Sequence, residues 1–112
     1  DPEAVARRDA LFDILERHGV LALFTGDEHN YSRLEVDDAI REGSRGRVWQ
    51  IVTGGAGAPY YAKDPTVPWA DRVAAFAPRH HFVLVDVRGD RVEVSAIDLH
   101  GERFDHAVLT ER

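Results

Sequence analysis

Cysteine and methionine are both missing from this chain of 112 residues. Without cysteine there can be no disulfide bond, no thiolate metal ligand and no cysteine nucleophile. Because an initiator methionine is also missing, we expect the chain to begin inside a longer gene product. Long apolar runs are lacking too, since no stretch approaches the roughly 18 residues that a membrane-spanning helix needs.

Basic residues are the minority, with 14 Lys and Arg against 20 Asp and Glu, which gives a formal net charge of −6. The two signs are interspersed and no basic stripe is present, so neither nucleic acid nor an anionic membrane is expected as a partner. A hydrophobic content of 44% and a charged content of 30% are typical of one globular domain.

The hydrophobic pattern predicts an N-terminal helix followed by strands. The helix begins at Asp1-Pro2-Glu3, where a capping acid precedes proline, and ends at His18-Gly19. We expect an α/β fold in which this helix packs on a mixed, largely antiparallel sheet whose last strands form a meander. Strands are predicted at 20–25, 31–36, 48–53, 82–87, 91–96 and 104–108, with an exposed connection at 37–47 and one helical turn at 73–76.

The segment after the first strand contains the side chains best suited to bind metal. The strand ends at Gly26 and is followed by Asp27-Glu28-His29-Asn30. A carboxylate oxygen and an imidazole nitrogen two positions apart at a sheet edge can hold a divalent metal ion. An Asp-x-His pair in a loop is also typical of a solvated or capping cluster, so the pair alone leaves both interpretations open.

Other histidines are predicted to have structural roles. His80 and His81 are neighbours on a strand and therefore point to opposite faces, so at most one of them could reach a given metal ion. His106 is expected on the apolar face of the last strand, together with Phe104 and Val108.

The order of motifs along the chain is more specific than any one of them. After the helix and a buried strand come Gly-Asp-Glu-His-Asn-Tyr-Ser-Arg at 26–33, a strand with Gly54-Gly55-Ala56-Gly57, and an antiparallel hairpin. This order resembles the C-terminal part of calcineurin-like metallophosphoesterases, especially the branch similar to purple acid phosphatases. In that family Gly-His-x-His, often followed by Asn-Tyr and a basic residue, precedes a Gly-Gly-x-Gly loop and a closing hairpin. The resemblance covers essentially the whole chain.

The resemblance implies metal ligands at two positions. His29 matches the second histidine of Gly-His-x-His, which binds metal in the family. Asp27 stands where the first histidine, a ligand of the other metal ion, is expected, and a carboxylate suits harder divalent ions. The residues implied to shape the site are Asn30, Tyr31, Arg33, Gly54, Gly55 and Gly57. A phosphate-binding loop would need a helix directly after the glycines, whereas Pro59 follows.

The resemblance also implies a complete protein larger than this chain. It would be a four-layer α/β/β/α sandwich, of which residues 1–112 form the C-terminal portion. Two ions of Fe, Mn or Zn roughly 3.5–4 Å apart would support hydrolysis of phosphate mono- or diesters. The family's other ligands lie in upstream motifs that cannot be matched here, so the chain alone is expected to be inactive and without metal.

The expected partners follow from that incomplete sandwich. They are the N-terminal half of the same domain, a phosphate ester substrate and, because half a sandwich exposes apolar strands, a second copy of the chain. The alternative function is a non-catalytic β-rich binding or scaffold module, or a degenerate phosphoesterase relative. Asp27 in place of histidine favours this alternative, whereas the otherwise intact order of motifs opposes it.

Overall fold

The structure is a computed structural model that describes residues 1–57, 66 and 70–111. The predicted α/β class is confirmed, but the described strands form two separate sheets rather than one. The segments at 58–65 and 67–69, which contain Tyr60, Tyr61 and Trp69, lie outside the described residues. The described elements are helix α1 (Pro2–Arg17), a 3₁₀ turn (Ala70–Arg72) and strands β1 (Ala22–Thr25), β2 (Tyr31–Val36), β3 (Val48–Thr53), β4 (Ala75–Ala77), β5 (His81–Arg88), β6 (Arg91–Asp98) and β7 (Arg103–Val108).

Both ends of α1 are capped by the residues that the sequence indicates. The carboxylate of Asp1 accepts a hydrogen bond from the Glu3 amide at 3.0 Å. At the other end Gly19 adopts a φ of +67°, and the Val20 amide donates to the Leu15 carbonyl at 3.0 Å. The predicted bounds of the helix are therefore confirmed. No described helix is long and apolar enough to cross a membrane.

Sheet A has the strand order β1-β3-β2-β4 and packs against α1. β1 runs parallel to β3, whereas β2 runs antiparallel to both β3 and β4. Phe12 of α1 packs against one face of the sheet, where it meets Leu34, Val36 and Val48. Because side chains alternate along a strand, the residues between these positions point to the opposite face.

Sheet B is the predicted meander, β5-β6-β7, and it covers that opposite face of sheet A. The two sheets share a buried cluster that includes Tyr31 and Ile51 from sheet A and Val94 and Ala96 from β6. The predicted alternation of apolar and polar residues along β6 places Val94 and Ala96 in the core. The described chain is thus a stack of three layers: helix, sheet A and sheet B.

Two predicted elements differ at the edges of sheet A. The helical turn predicted at 73–76 is wrong, because Ala75–Ala77 instead pairs with the first three residues of β2. Pairing with a strand outweighs the local helix preference of alanine. The strand predicted at 20–25 begins only at Ala22, and it lies at the edge of the sheet, where Phe24 is exposed rather than buried.

The segment at 37–47, predicted to be an exposed connection, is anchored to α1 by a buried arginine. Arg41 is 4% exposed and forms ion pairs with Asp13 at 2.8 Å and with Glu16 at 2.9 Å. Burial raises the pKa of Glu16, but hydrogen bonds from Ser44, Arg41 and the Arg45 amide outweigh it and lower the pKa. The predicted connection is confirmed and most of its residues are exposed, but the burial of Arg41 was not predicted, because a charged composition does not reveal which charges pair.

A bulge in β7 overturns the predicted face of that strand. The pairing with β6 shifts so that Phe104 is an extra residue between Arg103 and Asp105. Phe104 and Asp105 consequently both face sheet A. His106, predicted on the apolar face, lies instead on the exposed face and pairs with Glu93.

Candidate metal-binding loop and its support

Two loops lie side by side at one end of sheet A, where strands β1 and β3 finish. Because β1 and β3 are parallel, the loop at 26–30 after β1 and the loop at 54–57 after β3 emerge side by side. The carboxyl ends of parallel strands are where α/β proteins commonly bind ligands. Both predicted metal ligands, Asp27 and His29, belong to the first of these loops.

Tight turns hold the 26–30 loop together. Asp27 has a φ of +70°, a conformation that aspartate tolerates better than most residues. The Glu28 amide donates to the Gly26 carbonyl at 2.8 Å, and the Asn30 amide donates to the Glu28 carbonyl at 2.9 Å. Asp27 is exposed, His29 is half-buried and Asn30 is 5% exposed. The loop therefore presents a solvated carboxylate and a partly covered imidazole within three residues.

Gly54 allows the two loops to touch. Its amide donates to the Asn30 carbonyl at 3.1 Å. A Cβ atom at Gly54 would lie 2.1 Å from the carbonyl oxygen of Glu28, which no side chain could occupy without displacing the loop. The conformation of residues 26–30 thus depends on a glycine in the neighbouring loop.

His81 lies beneath the second loop and connects it to sheet B. Its amide donates to the Gly55 carbonyl at 3.2 Å, and a Cβ atom at Gly55 would lie 2.5 Å from its Nδ1. Nδ1 is 2.8 Å from the Arg79 carbonyl, which can only accept, so Nδ1 donates there. Nε2 then accepts from the hydroxyl of Thr53, the last residue of β3, at 2.9 Å. Both ring nitrogens of His81 are thereby engaged within the protein.

Asp105 connects the two sheets next to this support. It accepts a hydrogen bond from the Tyr31 hydroxyl and binds Arg33 through Nε at 2.9 Å and Nη2 at 3.1 Å. Burial raises the pKa of Asp105, but the hydrogen bonds from Arg33 and Tyr31 outweigh it and lower the pKa. Burial, followed by the hydrogen bond to Asp105, raises the pKa of Tyr31 well above its ordinary value. The three groups therefore form a fixed pair of charges with a neutral tyrosine.

Three rings fill the space between the sheets. The ring centres of Tyr31 and His81 are 5.4 Å apart, those of Tyr31 and Phe104 are 5.6 Å apart, and those of His81 and Phe104 are 5.8 Å apart. All three pairs are nearly perpendicular, which is a favoured arrangement of aromatic rings. The loops that follow β1 and β3 therefore lie next to three closely packed rings, those of Tyr31, His81 and Phe104.

The described residues supply two candidate ligands but not a complete metal centre. Within residues 1–57, 66 and 70–111, no three side chains of His, Cys, Asp or Glu come together so that they could hold an ion. The imidazole of His29 and the carboxylate of Asp27 are nevertheless ligand types that divalent transition metals take. The loop fits one side of a metal site whose remaining ligands would come from outside the described residues.

The residues predicted to shape the site are found in two places. Those in or against the 26–30 loop, or in the loop beside it, are Asn30, Gly54, Gly55 and Gly57, whereas Tyr31 and Arg33 bind Asp105 between the sheets.

Thr53 and Asp105 were not singled out from the sequence. Thr53 holds His81 beneath the second loop, and Asp105 joins the two sheets next to it. Asp105 lies between charged and polar neighbours in β7, such as Arg103 and His106, so the local sequence pattern does not distinguish it.

No protein-family model matches the chain, and no curated protein is significantly similar to it.

Proposed function

We propose that this chain is the C-terminal portion of a binuclear metallophosphoesterase that hydrolyses phosphate mono- or diesters. His29 and Asp27 would each bind one of its metal ions. One observation carries the proposal: the loop that holds both residues follows a parallel strand and is fixed against the backbone of Gly54 at the same sheet edge. A short loop held in this way can present two ligands in a constant geometry.

The chemistry of the loop agrees with such a role. The His29 imidazole is partly covered and the Asp27 carboxylate is exposed to solvent, and both are side-chain types that bind divalent metal ions. Two bound metal ions would supply the positive charge that an acidic chain lacks and would provide an activated hydroxide as the nucleophile. The contact of Gly54 with Glu28 and the burial of Asn30 hold the loop backbone while substrate binds.

The remaining parts of the enzyme belong to the proposal as well. An N-terminal half of the same domain would contribute the other ligands, and the ions would be Fe, Mn or Zn. Since two ligands for two different ions cannot assemble a binuclear centre, the 112-residue chain alone would bind metal weakly and hydrolyse nothing.

Weak binding by the loop can be tested on the chain itself. We expect substoichiometric Mn²⁺ to broaden the amide resonances of residues 26–30 and 54–55 selectively in a two-dimensional nitrogen–proton NMR spectrum. His29→Ala should reduce this broadening, because it removes one of the two ligands that the loop offers and leaves the Asp27 carboxylate alone. His100→Ala is the matched control, since His100 lies in an exposed turn of sheet B, and it should leave the broadening unchanged.

Two results would count against the proposal. Broadening centred on the acidic segment around Asp37 and Asp38 would indicate simple charge attraction. Broadening that persists undiminished in His29→Ala would show that the loop does not use its imidazole. In either case the non-catalytic binding module, or a degenerate phosphoesterase relative, becomes the better account of the chain.

A further inference from the structure

The edge strands of the two sheets differ in how well they are protected from pairing with another chain. Sheet A ends in β1, which has four residues, and in β4, which has three. Sheet B ends in β7, which is interrupted by a bulge and has charged residues along it, and in β5. Short length, bulges and charge are the means by which proteins prevent edge strands from pairing. Among the described edges β5 is the longest and has no bulge, because its eight residues pair with β6 without interruption, and its only charged side chains are those of Asp86 and Arg88 near one end.

The side chains of β5 are unusually apolar for an edge. Phe82 is 55% exposed, Leu84 54%, Val85 40% and Val87 64%. Phe82 and Leu84 lie on the outer face of sheet B, and the two valines lie on the face that points towards sheet A. The run from Phe82 to Val85 contains no proline, glycine or charge. Apolar side chains are therefore exposed on both faces of one strand, as expected of a strand that is covered in an assembly.

The backbone of β5 also has a defined outward side. The His81 amide points away from β6, since it donates to Gly55. Hydrogen-bonding direction alternates along an antiparallel strand, so Val83, Val85 and Val87 direct their N–H and C=O groups to the same outward side. The residues between them bond to β6.

We propose that two copies of this chain associate through β5, antiparallel about a two-fold axis at Val85, to form one six-stranded sheet. Because the His81 amide is already bonded, three residues are available for pairing. One symmetric register pairs all three: Val85 faces Val85 of the second copy, and Val83 faces Val87 of the second copy. About six backbone hydrogen bonds would form. The interface is isologous, as in most two-fold dimers.

Most facing side chains are complementary in this register, although Leu84 lies opposite Asp86 of the second copy. Phe82 lies opposite Arg88 of the second copy, where a guanidinium can cover the face of the ring. Arg88 has an 81% exposed side chain and, among the described residues, pairs with Asp86 on its own strand, so it can turn towards the ring. The valines pair with valines on the inner face. This match between the strand and itself is the reason to choose a second copy as the occupant over an unrelated peptide.

A charge placed on the two-fold axis tests the proposal. In Val85→Lys two ammonium groups would face each other across the interface, which opposes pairing. The matched control is Val5→Lys on α1, because Val5 is 44% exposed and Val85 is 40% exposed. By multi-angle light scattering we expect wild type and Val5→Lys at twice the 12.6 kDa of one chain, and Val85→Lys at 12.6 kDa.

A mixture of two variants separates loss of pairing from loss of folding. Val85→Glu alone should also be monomeric, whereas an equal mixture of Val85→Lys and Val85→Glu should return to the mass of two chains, because opposite charges then meet on the axis. Amide exchange at Val83, Val85 and Val87 should slow as the wild-type concentration rises. A monomeric wild type, a dimeric Val85→Lys, or a mixture that stays monomeric would each overturn the proposal.

Discussion

Replacing Asp105 by alanine is expected to break an ion pair and a hydrogen bond that join the two sheets. The change leaves the guanidinium of Arg33 without an anionic partner, although the side chain of Arg33 is only 13% exposed. It also removes the acceptor of the Tyr31 hydroxyl, on a residue that is 0% exposed. Removing one member of a buried ion pair costs about 3–5 kcal/mol, and the slight exposure of this pair lowers the expected loss of unfolding free energy to about 2–3 kcal/mol.

The assay is urea unfolding followed by circular dichroism, with Glu111→Ala as the control. Glu111 also pairs with an arginine, Arg91, at 2.9 Å, but the two side chains are 68% and 48% exposed. Exposed ion pairs contribute little, so Glu111→Ala should change the free energy of unfolding by no more than about 0.5 kcal/mol. A loss below about 1 kcal/mol in Asp105→Ala, or equal losses in the two variants, would refute this account of the interface.

The same pair predicts a pH dependence. The pKa of Asp105 is lowered in the folded protein, so near pH 4 the unfolded chain binds more protons than the folded one. The stabilisation is therefore fully present above the unfolded pKa of about 3.9 and is lost as the pH falls through the folded pKa. The difference in unfolding free energy between wild type and Asp105→Asn should be largest above about pH 5 and shrink towards pH 2. A difference that stays constant with pH would contradict the assignment.

Two further substitutions test the loop and the connection at 37–47 by thermal unfolding. Gly54→Ala should destabilise the protein by about 2 kcal/mol or more, because the added methyl overlaps a backbone carbonyl. The control is Gly26→Ala, whose added methyl meets no atom within 4 Å and should cost far less. Equal effects of the two variants would refute the contact. Arg41→Ala should cost about 2 kcal/mol, because it leaves the Glu16 carboxylate without its ion pair. The control, Arg45→Ala, changes an exposed side chain and should cost under about 0.5 kcal/mol. A similar cost for both variants would show that Arg41 does not anchor the segment at 37–47 to α1.

Elements whose bounds depend on residues close together in the sequence were predictable. The bounds of α1 follow from Asp1 at its start and Gly19 at its end, and β2 and β3 were predicted with their observed bounds. Hydrophobic alternation gives a strand its two faces but not its partner. For that reason the division of the strands into two sheets could not be read from the pattern.

The candidate site, too, was predictable only in the parts that depend on residues close together in the sequence. The sequence places Asp27 and His29 at the end of a strand, and the glycine motif follows another strand that proves to be its parallel neighbour. The support beneath them joins residues far apart in the chain, such as Arg33 and Asp105. That contact depends on the bulge in β7, and one extra residue in a strand has no distinct sequence pattern here.

The central proposal is tested most directly by the metal content of the gene product that contains this chain, measured by inductively coupled plasma mass spectrometry for wild type and His29→Ala. The proposal predicts about two transition-metal ions per wild-type chain, together with phosphoesterase activity, and the loss of at least one ion in the variant. Near-zero metal after reconstitution, or equal metal in both proteins, would contradict it.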